Sequence, residues 1–202
     1  ESPPKKASLS EVKKNINEPR DIENIHLALS YRFDDLTFKQ RVAMQFVAHY
    51  LAGGWSSRLI RKLRLEKGWT YWVHPRIFST EKTGFLRFYF TVTQENLSQS
   101  IDMVVKEIDL LRSGKIQKAD FERQKQSFLI SRLIEMNDPY RILDYYGRFV
   151  VQNEKKVQVL DSFVEELDRL RVEDISAVAS GAVVDRNISV ATIGNYHSKI
   201  QI

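Results

Sequence analysis

The 202-residue sequence contains no cysteine, which excludes disulfides and thiolate metal sites and leaves the redox setting open. Histidine is scarce: His26, His49, His74 and His197 are the four present. No two are four residues apart, and none falls in an HxxEH, HExxH or HxE arrangement. The chain therefore cannot place two imidazoles one turn apart on a helix, as a local helical zinc site requires. A GxSxG nucleophile turn is missing. The glycine-containing "AGGWSSR" lacks both the GK[ST] ending and the preceding strand of a phosphate loop. No apolar run approaches the roughly 20 residues that span a bilayer. The opening "ESPPKKASLSEVKK" has no apolar h-region of a signal peptide. Because the chain begins at Glu1, a targeting segment is not excluded.

What is present is the composition of a soluble globular protein, 43% hydrophobic and 28% charged. Its length suits one large domain or a compact pair with a real core. A net charge of +5 permits anionic partners. However, the 31 basic residues are spread among 26 acids without a nucleic-acid-binding motif, so no nucleic-acid partner is expected.

Residues 1–20, with three prolines, many lysines and little apolar periodicity, read as a linker or lead-in from an upstream domain. Residues 21–202 read as one folded domain. "NIHLALSYRF" alternates as a half-buried strand. "LTFKQRVAMQFVAHYLAGG" spaces Val42, Phe46, Val47 and Tyr50 as a helix stopped by Gly53 and Gly54. A shorter helix is predicted from Ser56 or Ser57, as N-cap, to Gly68. "TYWVHPRIFS" and "GFLRFYFTVT" follow as strands, the first bent or at an edge because Pro75 donates no ladder hydrogen bond. Helices are then predicted over about 97–112, 117–137, from Asp138 and Pro139 onward, and over about 161–170 and 172–182. "ISVATIG" closes the chain as a strand. This order predicts an α+β fold, a mainly antiparallel sheet with helices packed on one face.

The chemistry is harder to find. Ser56 and Ser57 suit helix capping, and Glu165–Glu166 and Asp34–Asp35 suit a solvated surface better than a catalytic dyad. What remains is Arg64, one turn before Gly68, and Tyr71, three residues beyond it. A chain reversal there would bring guanidinium and phenol together. Such a pair offers fixed donors, without a nucleophile or a good base at neutral pH. It can orient a peptide carbonyl and stabilise an oxyanion. Spacing alone favours the plainer reading, a surface ion pair for Arg64 and simple packing for Tyr71.

"GGWSSRLIRKLRLEKGWTYWV" resembles the segment, consensus near GGxxSSRLxxxlRExxGLaYxv, that marks the second homologous domain of the insulinase / mitochondrial processing peptidase family, also called the pitrilysin family. The resemblance covers about residues 20–196. It takes in "TGFLRFYFTV", the helical pair "ENLSQSIDMVVKEIDLLRSGKIQKADFERQKQ" and "ISVATIG". It implies the C-terminal, non-zinc domain of a bacterial-type zinc metallopeptidase acting on peptides and unfolded polypeptides. The implied zinc lies in a complementary upstream domain or partner subunit, with a homo- or heterodimer as the working unit. Arg64 and Tyr71, seven positions apart as in the family, would bind the scissile carbonyl, and Gly53 and Gly54 would line the substrate path. By itself the chain should be inactive. The alternative within the family is a catalytically inactive scaffold or peptide-binding subunit. The short glycine turn implies a bacterial periplasm or cytoplasm before a mitochondrion. Two positions depart from the pattern: Leu65 replaces the glutamate after the arginine, with Glu66 adjacent, and GWTY replaces GLAY.

Overall fold

A computed structural model describes residues 14–79, 83–151, 160–184 and 187–196; His197 lies outside them. The chain runs β1 (Lys14–Pro19), β2 (Ile25–Asp34), α1 (Phe38–Ala52), a π-helix (Ile60–Glu66), β3 (His74–Ser79) and β4 (Thr83–Val92). A short 3-10 turn leads into α2 (Leu97–Arg112), α3 (Lys118–Glu135), α4 (Pro139–Val151), α5 (Leu160–Asp168), α6 (Val172–Ala182) and β5 (Ile188–Gly194). The five strands form one sheet in the order β1-β5-β2-β4-β3. Every pairing is antiparallel except β1 with β5. The predicted α+β architecture is the observed one.

Alternation builds the central strands. Ile25, Leu27, Leu29, Tyr31 and Phe33 of β2, with Leu86, Phe88, Phe90 and Val92 of β4, are buried, and their neighbours are partly exposed. Against this face lies α1, opened by a capping box in which Gln40 N donates to Thr37 Oγ1 and Thr37 N donates to Gln40 Oε1. From Val42 to Ala52 all but one of its residues are buried, because α1 is covered by the sheet on one side and by α3, α5 and α6 elsewhere. Ile101, Val104, Ile108 and Leu111 of α2 complete the core with Ile175, Val178 and Ala179 of α6. Pro75 sits in β3, an edge strand, where its missing N–H costs no inner ladder bond.

Two expectations change. Lys14–Pro19, within the stretch read as a lead-in, is a strand. It has no apolar alternation to announce it. Backbone pairing with β5 holds it, together with Asn17, whose Nδ2 donates to Tyr196 O at 2.5 Å and whose Oδ1 accepts from Thr192 Oγ1 at 3.0 Å. The helix predicted from Ser56 or Ser57 is a π-helix over Ile60–Glu66, and neither serine hydroxyl caps it. Ser57 Oγ donates to Gly54 O at 2.5 Å, and Ser56 accepts from Gln124 Nε2.

Candidate functional site

The segment after α1 is held from below. Ser57, Leu59, Ile60 and Leu63 are buried. Arg58 Nε donates to Glu107 Oε2 of α2 at 2.7 Å, and Glu107 is 3% exposed. This ion pair raises the Arg58 pKa, chiefly through that hydrogen bond. Beside it Tyr50 Oη donates to Asp120 Oδ2 at 2.7 Å; burial, then the Asp120 carboxylate, push the phenol well above its ordinary range. Ser57 and Arg58 thus tie the stretch before the π-helix to Gly54 and to α2, and Ser56 is held by Gln124 of α3.

Arg64 lies in the last turn of that helix. Gly68 follows at φ +67°, a left-handed conformation that glycine adopts without a Cβ penalty. The reversal is closed by Gly68 N to Arg64 O at 3.0 Å and by Trp69 N to Leu63 O at 2.8 Å. It carries Tyr71 back over Arg64. The guanidinium carbon stands 4.3 Å from the Tyr71 ring centre, 4.3 Å from that of Trp55 and 5.9 Å from that of Trp72. Trp55 and Trp72 meet edge to face at 5.1 Å and 76°. Arg64 is therefore clamped between aromatic faces, an attractive placement for a cation.

Two donors of this cluster are unused. Arg64 Nη1 is buried without a hydrogen-bond partner, a costly state that an incoming acceptor would relieve. Tyr71 is 76% exposed. The surface ion pair for Arg64 is not formed among the described residues: Glu66, at the place nearest the family's glutamate, binds Lys62 Nζ at 2.9 Å, which lowers its pKa. Leu65 is exposed. The predicted pair is brought together, while the tryptophans that hold it were not singled out. All three of the chain's tryptophans within one short segment were the available signal.

The glycines differ. A Cβ on Gly53 would meet His49 Nδ1 at 2.3 Å and His49 Cα at 2.6 Å, so this turn needs glycine to pack on α1. Gly54 faces open space. Next to Gly53 a cavity of about 510 Å³ lies between α1, β3, α3 and α4, with His49, Trp72, Ile77, Arg132 and Tyr145 among its walls. His49 is 7% exposed, its Nε2 is 3.3 Å from Ser127 Oγ, and burial, aided by the Arg132 charge, lowers its pKa to about 4.

Among the described residues no three His, Asp or Glu side chains converge on a point that could hold a metal. The described residues offer no ligand set that fits a zinc ion. No described helix is long and apolar enough to cross a membrane.

Comparison with known proteins bears on the fold and the family. An uncharacterized zinc protease of Mycobacterium leprae is 23% identical over 180 residues, covering 89% of this chain and 40% of its own length. A probable mitochondrial-processing peptidase subunit alpha-2 of Arabidopsis thaliana is 22% identical over 187 residues, covering 86% of this chain and 37% of its own. The solved peptidase M16 inactive domain from Pseudomonas fluorescens superposes with a TM-score of 0.78 at 17% identity, over 92% of this chain and 45% of that one. The chain thus spans about two fifths of the length of the curated relatives it matches. A family model described as the peptidase M16 inactive domain matches residues 1–128, more than half of the sequence. This shows that the chain belongs to the peptidase M16 family as its inactive domain.

Proposed function

We propose that this domain supplies the carbonyl-binding half of a zinc peptidase site whose metal is held by a companion, either an upstream domain or a partner subunit in a homo- or heterodimer. The metal and the hydrolytic step belong to that companion. The substrate is a peptide or unfolded polypeptide lying across the aromatic cluster in an extended form.

The observation that carries this reading is the buried, unpartnered Nη1 of Arg64, clamped beside the exposed Tyr71 phenol. Both groups are donors and neither is tied to a carboxylate. Directed at one carbonyl oxygen, they hold the peptide in place and stabilise the negative charge that grows on that oxygen in the transition state. The aromatic faces fix the guanidinium plane before substrate arrives, so little reorganisation is required on binding. Gly54 leaves open space above the turn, through which a peptide backbone can pass close to the chain.

The test is Tyr71→Phe in the assembled, zinc-loaded peptidase. Loss of one such donor should lower kcat by about 10²-fold or more and leave KM nearly unchanged. An inactive scaffold predicts no dependence on Tyr71. Unchanged kcat would overturn the reading.

A further inference from the structure

The sheet face opposite the helices has a composition that its own fold does not explain. Alternate residues of β2, β4 and β3 point to that side and are partly or fully exposed. They include three arginines: Arg32 on β2, Arg87 on β4 and Arg76 on β3. Arg76 stands directly opposite Arg87 in the ladder, and Arg87 is opposite Ser30. Like charges facing each other across strands are unfavourable. Nevertheless none of the three makes an ion pair among the described residues, and Arg87 Nε is buried without any hydrogen-bond partner. Arg32 reaches a neutral acceptor, Thr83 Oγ1, at 3.4 Å. The acids of this face stand at its margins. Glu18 is bound by Arg20, and Asp34, at the end of β2, pairs with none of the three.

Between and beside the arginines are flat rings. Phe78 and Phe85 stack at 5.6 Å and 22°. Tyr89 lies between His26 and His74, its ring centre 6.0 Å from each, with its hydroxyl 2.6 Å from His26 Nδ1. β3 is reached three residues after Tyr71, so the platform continues in the chain from the proposed carbonyl site.

We infer that this open face binds an acidic, extended polypeptide segment, with Arg76 and Arg87 as the central pair, Arg32 as the flanking cation and the rings as the apolar floor. Charge complementarity selects the occupant. Carboxylates placed between Arg76 and Arg87 remove a repulsion that the free domain carries and give the Arg87 fork the acceptors it lacks. Paired rings at one end and the Tyr89 cluster at the other accept apolar side chains spaced along the same segment. For the nature of the ligand, a polypeptide, the inference rests on the peptidase reading; for its charge it rests on the sheet alone.

The experiment is fluorescence anisotropy with the 202-residue chain and a labelled, unstructured peptide of about 16 residues carrying spaced glutamates and phenylalanines. A matched peptide with glutamine for glutamate, and an oligothymidine of similar length, serve as comparisons. At low ionic strength the glutamate peptide should bind at least about tenfold more tightly than the glutamine peptide, with the difference shrinking as salt is added. Arg76→Gln, on the exposed edge strand, should weaken it about threefold, and Arg76→Gln with Arg87→Gln at least tenfold. Circular dichroism and melting confirm that the variants are folded, and the exposed single variant keeps the test valid if the double one is not. Lys106→Gln, exposed on α2 on the helical side of the sheet, should leave this affinity unchanged; because binding rather than turnover is read, failure here is distinct from failure of the carbonyl-binding role. Equal binding of the two peptides, full affinity in folded Arg76→Gln, an equal loss with Lys106→Gln, or tighter binding of the oligothymidine would each overturn the assignment.

Discussion

The Arg64 guanidinium carbon stands 4.3 Å above the centre of the Tyr71 ring. This fixes the two groups in one frame: the phenol cannot be displaced without exposing one face of the guanidinium, and the guanidinium cannot swing away without leaving the ring. A planar cation is essential to that stack. Arg64→Lys keeps the charge but loses the flat face and the fork of donors. In the assembled peptidase it should lower kcat about tenfold or more, with KM little changed. Steady-state kinetics on the two proteins decides it.

The Trp55 ring centre also stands 4.3 Å from the Arg64 guanidinium carbon, while Trp55 is 60% exposed itself. Trp55→Ala removes this ring contact together with the edge contact to Trp72. The melting temperature should move little, because an exposed cation–ring contact contributes about 0.5–1 kcal/mol. Turnover should fall more than stability. A parallel loss of both would show that Trp55 acts through folding alone.

Glu107 holds the base of the π-helix through Arg58. Glu107→Ala leaves a partly buried guanidinium without its carboxylate and should cost about 3 kcal/mol. In a domain of this size that lowers Tm by roughly 6–12 °C. Differential scanning calorimetry of the variant measures it directly.

His49 gives the chain a signed pH dependence. Burial and Arg132 lower its folded-state pKa to about 4 from an ordinary 6.5, so the unfolded state takes up the proton first as pH falls. Stability from this group is fully present above about 6.5 and is lost progressively between there and about 4, to a total of about 3 kcal/mol. Urea titrations at several pH values across that window should show the slope. His49→Gln should flatten it. An equal slope in the variant would assign the effect to other groups.

Gly68 should tolerate no side chain cheaply. At φ +67° an alanine pays about 1–2 kcal/mol for the left-handed conformation. Gly68→Ala is therefore expected to lower Tm by a few degrees. Any relaxation of the strained turn would move Tyr71 relative to Arg64, so kcat should fall as well.

The sequence made the central sheet legible because period-2 burial on β2 and β4 leaves a clear pattern, and α1 was legible through its apolar spacing and its terminal glycines. The Arg64–Tyr71 pairing was legible through Gly68, whose position predicts the reversal. The π-helix was not, since the seven residues of "IRKLRLE" read equally well with either helical period. Strand β1 was hidden for a different reason. Its partners are backbone groups and Asn17, neither of which leaves a hydrophobic period. The bare cation pair Arg76–Arg87 required the strand register, which no single strand's pattern contains.

The parallel strand β1 has a consequence for how the domain can be divided. It lays a polar ribbon, Asn15, Asn17 and Glu18 among its residues, along β5, whose Ile188 and Val190 belong to the core. A fragment cut to begin at residue 21 would retain every helix but strip that ribbon, leaving the backbone donors and acceptors of β5 open to recruit a strand from another molecule. Such a fragment should self-associate through that edge, and the boundary at which it stops doing so marks how much of the preceding chain this domain needs to keep β5 covered.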